Sequence, residues 1–128
     1  MIEMIKGDIT ETDCKVIAHG VNCQGVMGSG VAKALYTKWP EVRTRYLQYH
    51  NDLEDETPCS LLGHVVHFHI DDKEILNCYT QQNYGYNKQI YLNYSALIKC
   101  LGSIISYCRG FKVDEVAMPK IGCGLARS

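Results

Sequence analysis

The chain reads as an α/β sandwich with a mainly parallel central sheet. Three observations predict that class. Short apolar runs suited to buried strands alternate with longer segments of helical periodicity. Two glycine-bearing loops, His19 to Gly30 and Met118 to Leu125, each follow such an apolar run. A length of 128 residues suits one domain, spanning residues 1–128, with a single core.

Taken in order, Met1 to Lys6 is mostly apolar and reads as a first strand, and Gly7-Asp8-Ile9-Thr10 turns the chain. Val16-Ile17-Ala18-His19 is a short buried strand that feeds the first glycine loop. Val31, Leu35 and Trp39 recur at i, i+4, i+8 and predict a helix that Pro40 ends. A second helix is expected from Glu41 to about His50. Asn51 to Pro58 is acidic and turn-rich, a surface loop. His64 to Ile70 and Glu74 to Tyr79 read as two strands joined by an Asp71-Asp72-Lys73 turn. Thr80 to Gln89 is polar and aromatic. Ile90 to Cys108 is the clearest helix, with Tyr94, Leu97, Ile98, Leu101, Ile104, Ile105 and Cys108 forming one stripe that reads as core packing. Arg109-Gly110 is expected to close it. Val113 to Met118 is the last strand and feeds the second glycine loop.

Composition narrows the partners. The net charge is -1, and no basic stripe is present, so duplex nucleic acid is not an expected partner. Met1 to Lys6 is too short and too charged for a signal core, and no apolar run approaches membrane-spanning length. Seven cysteines, an odd number with no C-x-x-C pair, argue against a disulfide framework and for a reducing cytoplasm.

In open α/β sheets ligands sit beyond the carboxyl ends of the strands, where both glycine loops are placed. Glycines there let the backbone approach a ligand and aim several N–H groups at one anion. The pair suggests a pocket for a phosphorylated nucleotide. Neither loop is a dinucleotide fingerprint, because Lys33 stands where the third glycine belongs, and no Gly-Lys-Ser/Thr makes a P-loop.

The segments Val21 to Ala32 (VNCQGVMGSGVA) and Met118 to Leu125 (MPKIGCGL), together with Gly7-Asp8-Ile9-Thr10, make the chain resemble a macrodomain, the ADP-ribose-binding module. The match covers nearly the whole chain. It looks most like the small phage and bacterial branch associated with ADP-ribose 1''-phosphate processing. The resemblance implies a three-layer α/β/α sandwich with a mixed, mainly parallel sheet. It implies that Asp8 accepts from the adenine amino group with the Ile9 N–H nearby, and that Asn22 binds hydroxyls of the distal ribose. Gly28, Ser29, Gly30 and Val31 are then expected to line the distal ribose and diphosphate. Gly122, Cys123, Gly124 and Leu125 are expected to give backbone donors from the other side. No cofactor is implied.

Two departures from the family pattern stand out. Some de-ADP-ribosylating relatives carry an aspartate just after Gly-Cys-Gly-Leu, where this chain has Ala126, and a lysine after the central strand, where it has Tyr79-Thr80-Gln81. Family members usually continue with another helix and strand, whereas this chain stops at Ser128. The expectation is that a second copy covers the gap or that stability is low.

Three functions are open at this point. One is hydrolysis of ADP-ribose 1''-phosphate, with Asn22 holding the ribose and His19 as the nearest proton-transfer group, since its ordinary pKa lies near neutrality. The others are removal of ADP-ribose from modified targets and non-catalytic binding. Several residues also have plainer roles. Asp8 caps turns readily. His64, His67 and His69 read as partly exposed strand histidines, not metal ligands, because no acidic or cysteine partner stands at ligand spacing. Cys23 and Cys123 read as small loop-filling residues, and Tyr84 and Tyr86 are candidates for stacking on the ligand.

Overall fold

The structure, a computed structural model, describes residues 7–22, 27, 30–52, 61–81 and 94–119. The expected first strand, Met1 to Lys6, lies outside the described residues.

A single 3-10 turn, Ile9–Glu11, precedes β1 (Val16–Asn22). Then come α1 (Gly30–Lys38), α2 (Glu41–Asp52), β2 (Val65–Ile70), β3 (Lys73–Gln81), α3 (Tyr94–Phe111) and β4 (Val116–Ala117). The described strands form one mixed sheet in the order β2-β3-β1-β4. β1 pairs in parallel with β3 and with β4, while β2 runs antiparallel to β3 at the edge. β1 is buried along almost its whole length, which is why it reads as an unbroken apolar run instead of an alternating one.

Side-chain alternation along β1 and β3 sorts the core into two layers. Ile17, Val21, Ile75 and Tyr79 pack with Leu35 and Trp39 at α1 and Val42 and Tyr46 of α2. Val16, Ala18, Leu76 and Cys78 pack with Cys100 and Ile104 of α3. The result is the expected α/β/α sandwich.

Helix ends follow local chemistry. Gly30 opens α1 at φ +64°, a backbone conformation that favours glycine. Pro40 sits between α1 and α2, and its carbonyl accepts from Arg43 and Thr44. The β2–β3 turn runs through Asp71 at φ 55°, which aspartate tolerates. Lys73 starts β3 and is only 9% exposed; its ammonium donates to the Thr12 and Cys14 carbonyls at 2.9 and 2.6 Å, tying the segment before β1 to the hairpin.

α3 departs from the sequence expectation in two ways. It does not end at Arg109-Gly110 but continues to Phe111, and Lys112 makes the left-handed stop at φ 55° while the Val113 N–H donates to the Cys108 carbonyl at 2.9 Å. Its buried residues are Ala96, Cys100 and Ile104, whereas Tyr94, Ile98, Leu101 and Ile105 are exposed. The face against the sheet is therefore turned by roughly a quarter of a helical revolution from the most apolar stripe. The buried face carries the small side chains of Ala96 and Cys100 together with Ile104. Gly63, at φ +88°, completes this contact, since a Cβ there would meet Lys99 Cδ at 2.8 Å.

Among the described residues, no helix is long and apolar enough to cross a membrane, and Cys14, Cys78, Cys100 and Cys108 are free thiols.

Candidate functional site

The parallel pairing decides where a site can form. β1 lies between β3 and β4 and runs in their direction; Asn22 and Gln81 end β1 and β3 at the same level, whereas Ala117 ends β4 opposite Ile17, near the start of β1. The first glycine loop leaves from Asn22 and returns at Gly30, the first residue of α1. The second begins just after Ala117. Two loops far apart in sequence thus follow neighbouring strands that run in the same direction. Gly28, Ser29, Gly122, Cys123, Gly124 and Leu125 lie outside the described residues, as do Cys23, Tyr84 and Tyr86. Gly30 is exposed and Val31 half-buried at the start of α1, where the first helical N–H groups lack intrahelical acceptors and favour an anion.

Asn22 is 7% exposed and sits at an irregularity in the sheet. Val21 pairs with Tyr79 but Asn22 pairs with Gln81, so one residue of β3 is skipped. Such a slip re-aims a side chain. Here it brings Asn22 to α2, where the buried Tyr46 hydroxyl lies 2.7 Å from the Asn22 carbonyl oxygen and 3.0 Å from Oδ1.

His19 lies inside the sheet at 1% exposure. Its Nε2 is 2.7 Å from Asn77 Oδ1, directly across the β1–β3 pairing. An amide oxygen only accepts, so Nε2 carries the proton and Nδ1 is the acceptor nitrogen. Nδ1 and Asn77 Nδ2 are buried without a hydrogen-bond partner among the described residues. Burial pushes the His19 pKa down to about 4, against a smaller opposing contribution from Asn77, so the ring is neutral near pH 7.

Asp8 caps the turn before β1. Its Oδ1 accepts from the Thr10 N–H at 2.9 Å and the Thr10 hydroxyl at 2.7 Å. These bonds, led by the hydroxyl, and the nearby Lys38 hold its pKa below the usual carboxylate value. Lys38, the last residue of α1, also donates to the Thr10 carbonyl at 2.6 Å. Both bonds from Thr10 fall on one carboxylate oxygen of Asp8. The turn precedes the amino end of β1 and Asn22 closes its carboxyl end, and a seven-residue strand spans about 20 Å.

His67 and His69 share a face of β2, and both rings contact the Glu74 carboxylate of β3. Antiparallel pairing, with His69 opposite Glu74, supplies the acidic partner that sequence spacing does not reveal. Among the described residues, no group of three His, Cys, Asp or Glu side chains is arranged to hold a metal ion.

The Macro domain family model matches residues 18–128. The chain belongs to the macrodomain family. This macrodomain is 32% identical over 132 residues to an uncharacterised 17.5 kDa protein of Enterobacteria phage T4, an alignment covering 99% of this chain and 81% of the phage protein. It is 35% identical over 69 residues to an ADP-ribose 1''-phosphate phosphatase of Debaryomyces hansenii, covering 49% of this chain and 38% of that enzyme. It is 27% identical over 125 residues to the DNA ADP-ribosyl glycohydrolase of Mycobacterium tuberculosis, covering 97% of this chain but 34% of that protein. Among solved structures, a Bacteroides thetaiotaomicron protein of unknown function superposes with a TM-score of 0.81 at 31% identity, over 97% of this chain and 80% of that one. The macrodomain of Mycobacterium tuberculosis DarG superposes with the same TM-score at 25% identity, over 98% and 80% of the two chains.

Two residues at this macrodomain's candidate site escape sequence reasoning. Tyr46 reads only as part of the second helix and Asn77 only as part of a strand. No local signal marks either one, because each acts on a partner in a different element.

Proposed function

We propose that this macrodomain binds ADP-ribose and hydrolyses ADP-ribose 1''-phosphate to ADP-ribose and phosphate. The observation that carries the reading is that the two glycine loops follow adjacent strands that run in the same direction. Backbone N–H groups from two such loops can grip a diphosphate from both sides by charge-assisted hydrogen bonds, with little need for cations. The start of α1 adds its positive end. Relatives named ADP-ribose 1''-phosphate phosphatase in two yeasts support the choice of phosphoester.

In this reading Gly28, Ser29, Gly30 and Val31 face the distal ribose and diphosphate, and Gly122, Cys123, Gly124 and Leu125 close the other side. Asn22 holds the distal ribose. Asp8 is ionised at neutral pH and pre-oriented by Thr10, so it accepts from the adenine amino group beside the Ile9 N–H. His19, neutral and three residues before Asn22, accepts a proton from the attacking water. Its burial restricts that role to a water enclosed with the substrate. Attack on phosphorus breaks the P–O bond to the ribose, releases phosphate and returns a hydroxyl to C1''.

The kinship with a DNA ADP-ribosyl glycohydrolase over 97% of this chain favours a second reading, removal of ADP-ribose from a modified target. One assay separates the two. The protein is incubated with ADP-ribose 1''-phosphate and, separately, with ADP-ribosylated DNA and protein, and the products are measured. Phosphate release from the first supports the leading reading, and free ADP-ribose from the second supports the alternative. Calorimetric binding of ADP-ribose with neither product makes the protein a binder, and no binding rejects both readings. His19→Gln is expected to keep ADP-ribose affinity and lose phosphate release.

A further inference from the structure

The buried Thr10 links two charged side chains that lie far apart in the sequence. Its N–H and hydroxyl donate to Asp8 Oδ1 at 2.9 and 2.7 Å, and its carbonyl accepts from Lys38 Nζ at 2.6 Å. The lysine is itself held in place. Its ammonium lies 3.6 Å from Glu11 Oε1 and 5.1 Å from the ring centroid of the core residue Trp39. Further along the same segment, Lys73 donates to the Thr12 and Cys14 carbonyls. Ammonium groups from α1 and β3 thus bind the alternate carbonyls of Thr10, Thr12 and Cys14, in a stretch whose regular structure is the 3-10 turn Ile9–Glu11. Lys73 secures the part nearest β1, and Lys38 secures the turn that carries Asp8.

The place of Lys38 in the fold gives this contact its reach. Lys38 is the last residue of α1, and Gly30, where the first glycine loop ends, is the first. The helix between them is a rod of about 12 Å. It joins the loop assigned to the diphosphate to the turn assigned to adenine.

We propose that Lys38 is a positioning residue that holds Asp8 at a set distance from the first glycine loop, and so makes the site select a base with an exocyclic amino group. This rests on the reading that Asp8 accepts from the adenine amino group. Lys38 acts through Thr10 and Asp8, not by contact with the ligand.

The test compares ADP-ribose with inosine diphosphate ribose by calorimetry. The two differ only in the base, where hypoxanthine carries a carbonyl oxygen in place of the amino group and so offers an acceptor where Asp8 needs a donor. The wild type is expected to prefer ADP-ribose. Lys38→Met keeps the aliphatic stem and loses the ammonium. It is expected to weaken ADP-ribose about five-fold, the worth of one hydrogen bond, and to leave inosine diphosphate ribose unchanged, so that the preference shrinks. In the same variant without ligand, the Asp8 carboxyl is expected to titrate at higher pH in ¹³C spectra, because a nearby cation that favours its charged form is gone. Lys38→Arg keeps a cationic donor and is expected to keep the preference. Lys38→Gln, uncharged and one bond shorter, carries the test if Lys38→Met does not fold. A wild type that prefers ADP-ribose, with the neutral variants keeping that ratio whatever their absolute affinities, overturns the proposal alone. A wild type that binds the two ligands equally overturns the adenine assignment of Asp8, and the proposal with it.

Discussion

His19 donates from Nε2 to Asn77 Oδ1 across 2.7 Å, in register between adjacent parallel strands, with both residues 1% exposed. The bond fixes the tautomer, and burial keeps the ring neutral.

This neutrality makes stability depend on pH. The folded His19 pKa of about 4 lies below the ordinary 6.5, so between those values the unfolded chain binds the proton more readily. The stability contribution is fully present above about pH 6.5 and is lost as the pH falls towards about 4. The whole window corresponds to about 3 kcal/mol. Urea midpoints measured over that acid range should fall for the wild type and fall less for His19→Gln, which does not titrate. Parallel curves would show that the histidine is not the group responsible.

The orientation of α3 makes a second prediction. Ile104 is 6% exposed against the sheet and Ile98 is 70% exposed. Ile104→Ala should destabilise by about 2–4 kcal/mol through lost burial and a residual cavity. Ile98→Ala should change stability by less than about 0.5 kcal/mol. Comparable losses in denaturant melts would mean that the apolar stripe, not the small-residue face, packs on the sheet.

Asp8 tests the adenine end of the proposed ligand. Asp8→Ala removes the acceptor assigned to the adenine amino group and should weaken ADP-ribose binding. Ribose 5-phosphate, which has no adenine, should bind the variant and the wild type alike. Equal losses for both compounds in calorimetry would remove Asp8 from the adenine site.

Much of the fold is legible in the chain because punctuation is local. Pro40 separates α1 from α2, Asp71-Asp72 turns β2 into β3, and apolar runs mark β1 and β3. The end of α3 is not legible in this way. Gly110 looks like a stop, but the helix passes through it and Lys112 takes the left-handed position. Nor is the packed face of α3 legible, since hydrophobicity points to Ile98 and Ile105 while close approach to the sheet selects Ala96 and Cys100.

At the candidate site, Asn22 and the start of α1 can be picked out from residue type and glycine spacing. The partners that fix their geometry cannot. Tyr46 is 24 residues from Asn22, Asn77 is 58 residues from His19, and Glu74 reaches His67 and His69 only through a hairpin.

The amino-acid order alone determines the succession of strands and helices and the presence of a glycine loop after each of two strands, because these depend on near-neighbour periodicity and backbone freedom. Only the tertiary structure decides that β1 and β4 lie side by side in parallel, that a skipped residue turns Asn22 towards Tyr46, and that His19 is buried on Asn77. Those relationships depend on strand pairing and register, in which a shift of a single residue sends every side chain to the opposite face of the sheet.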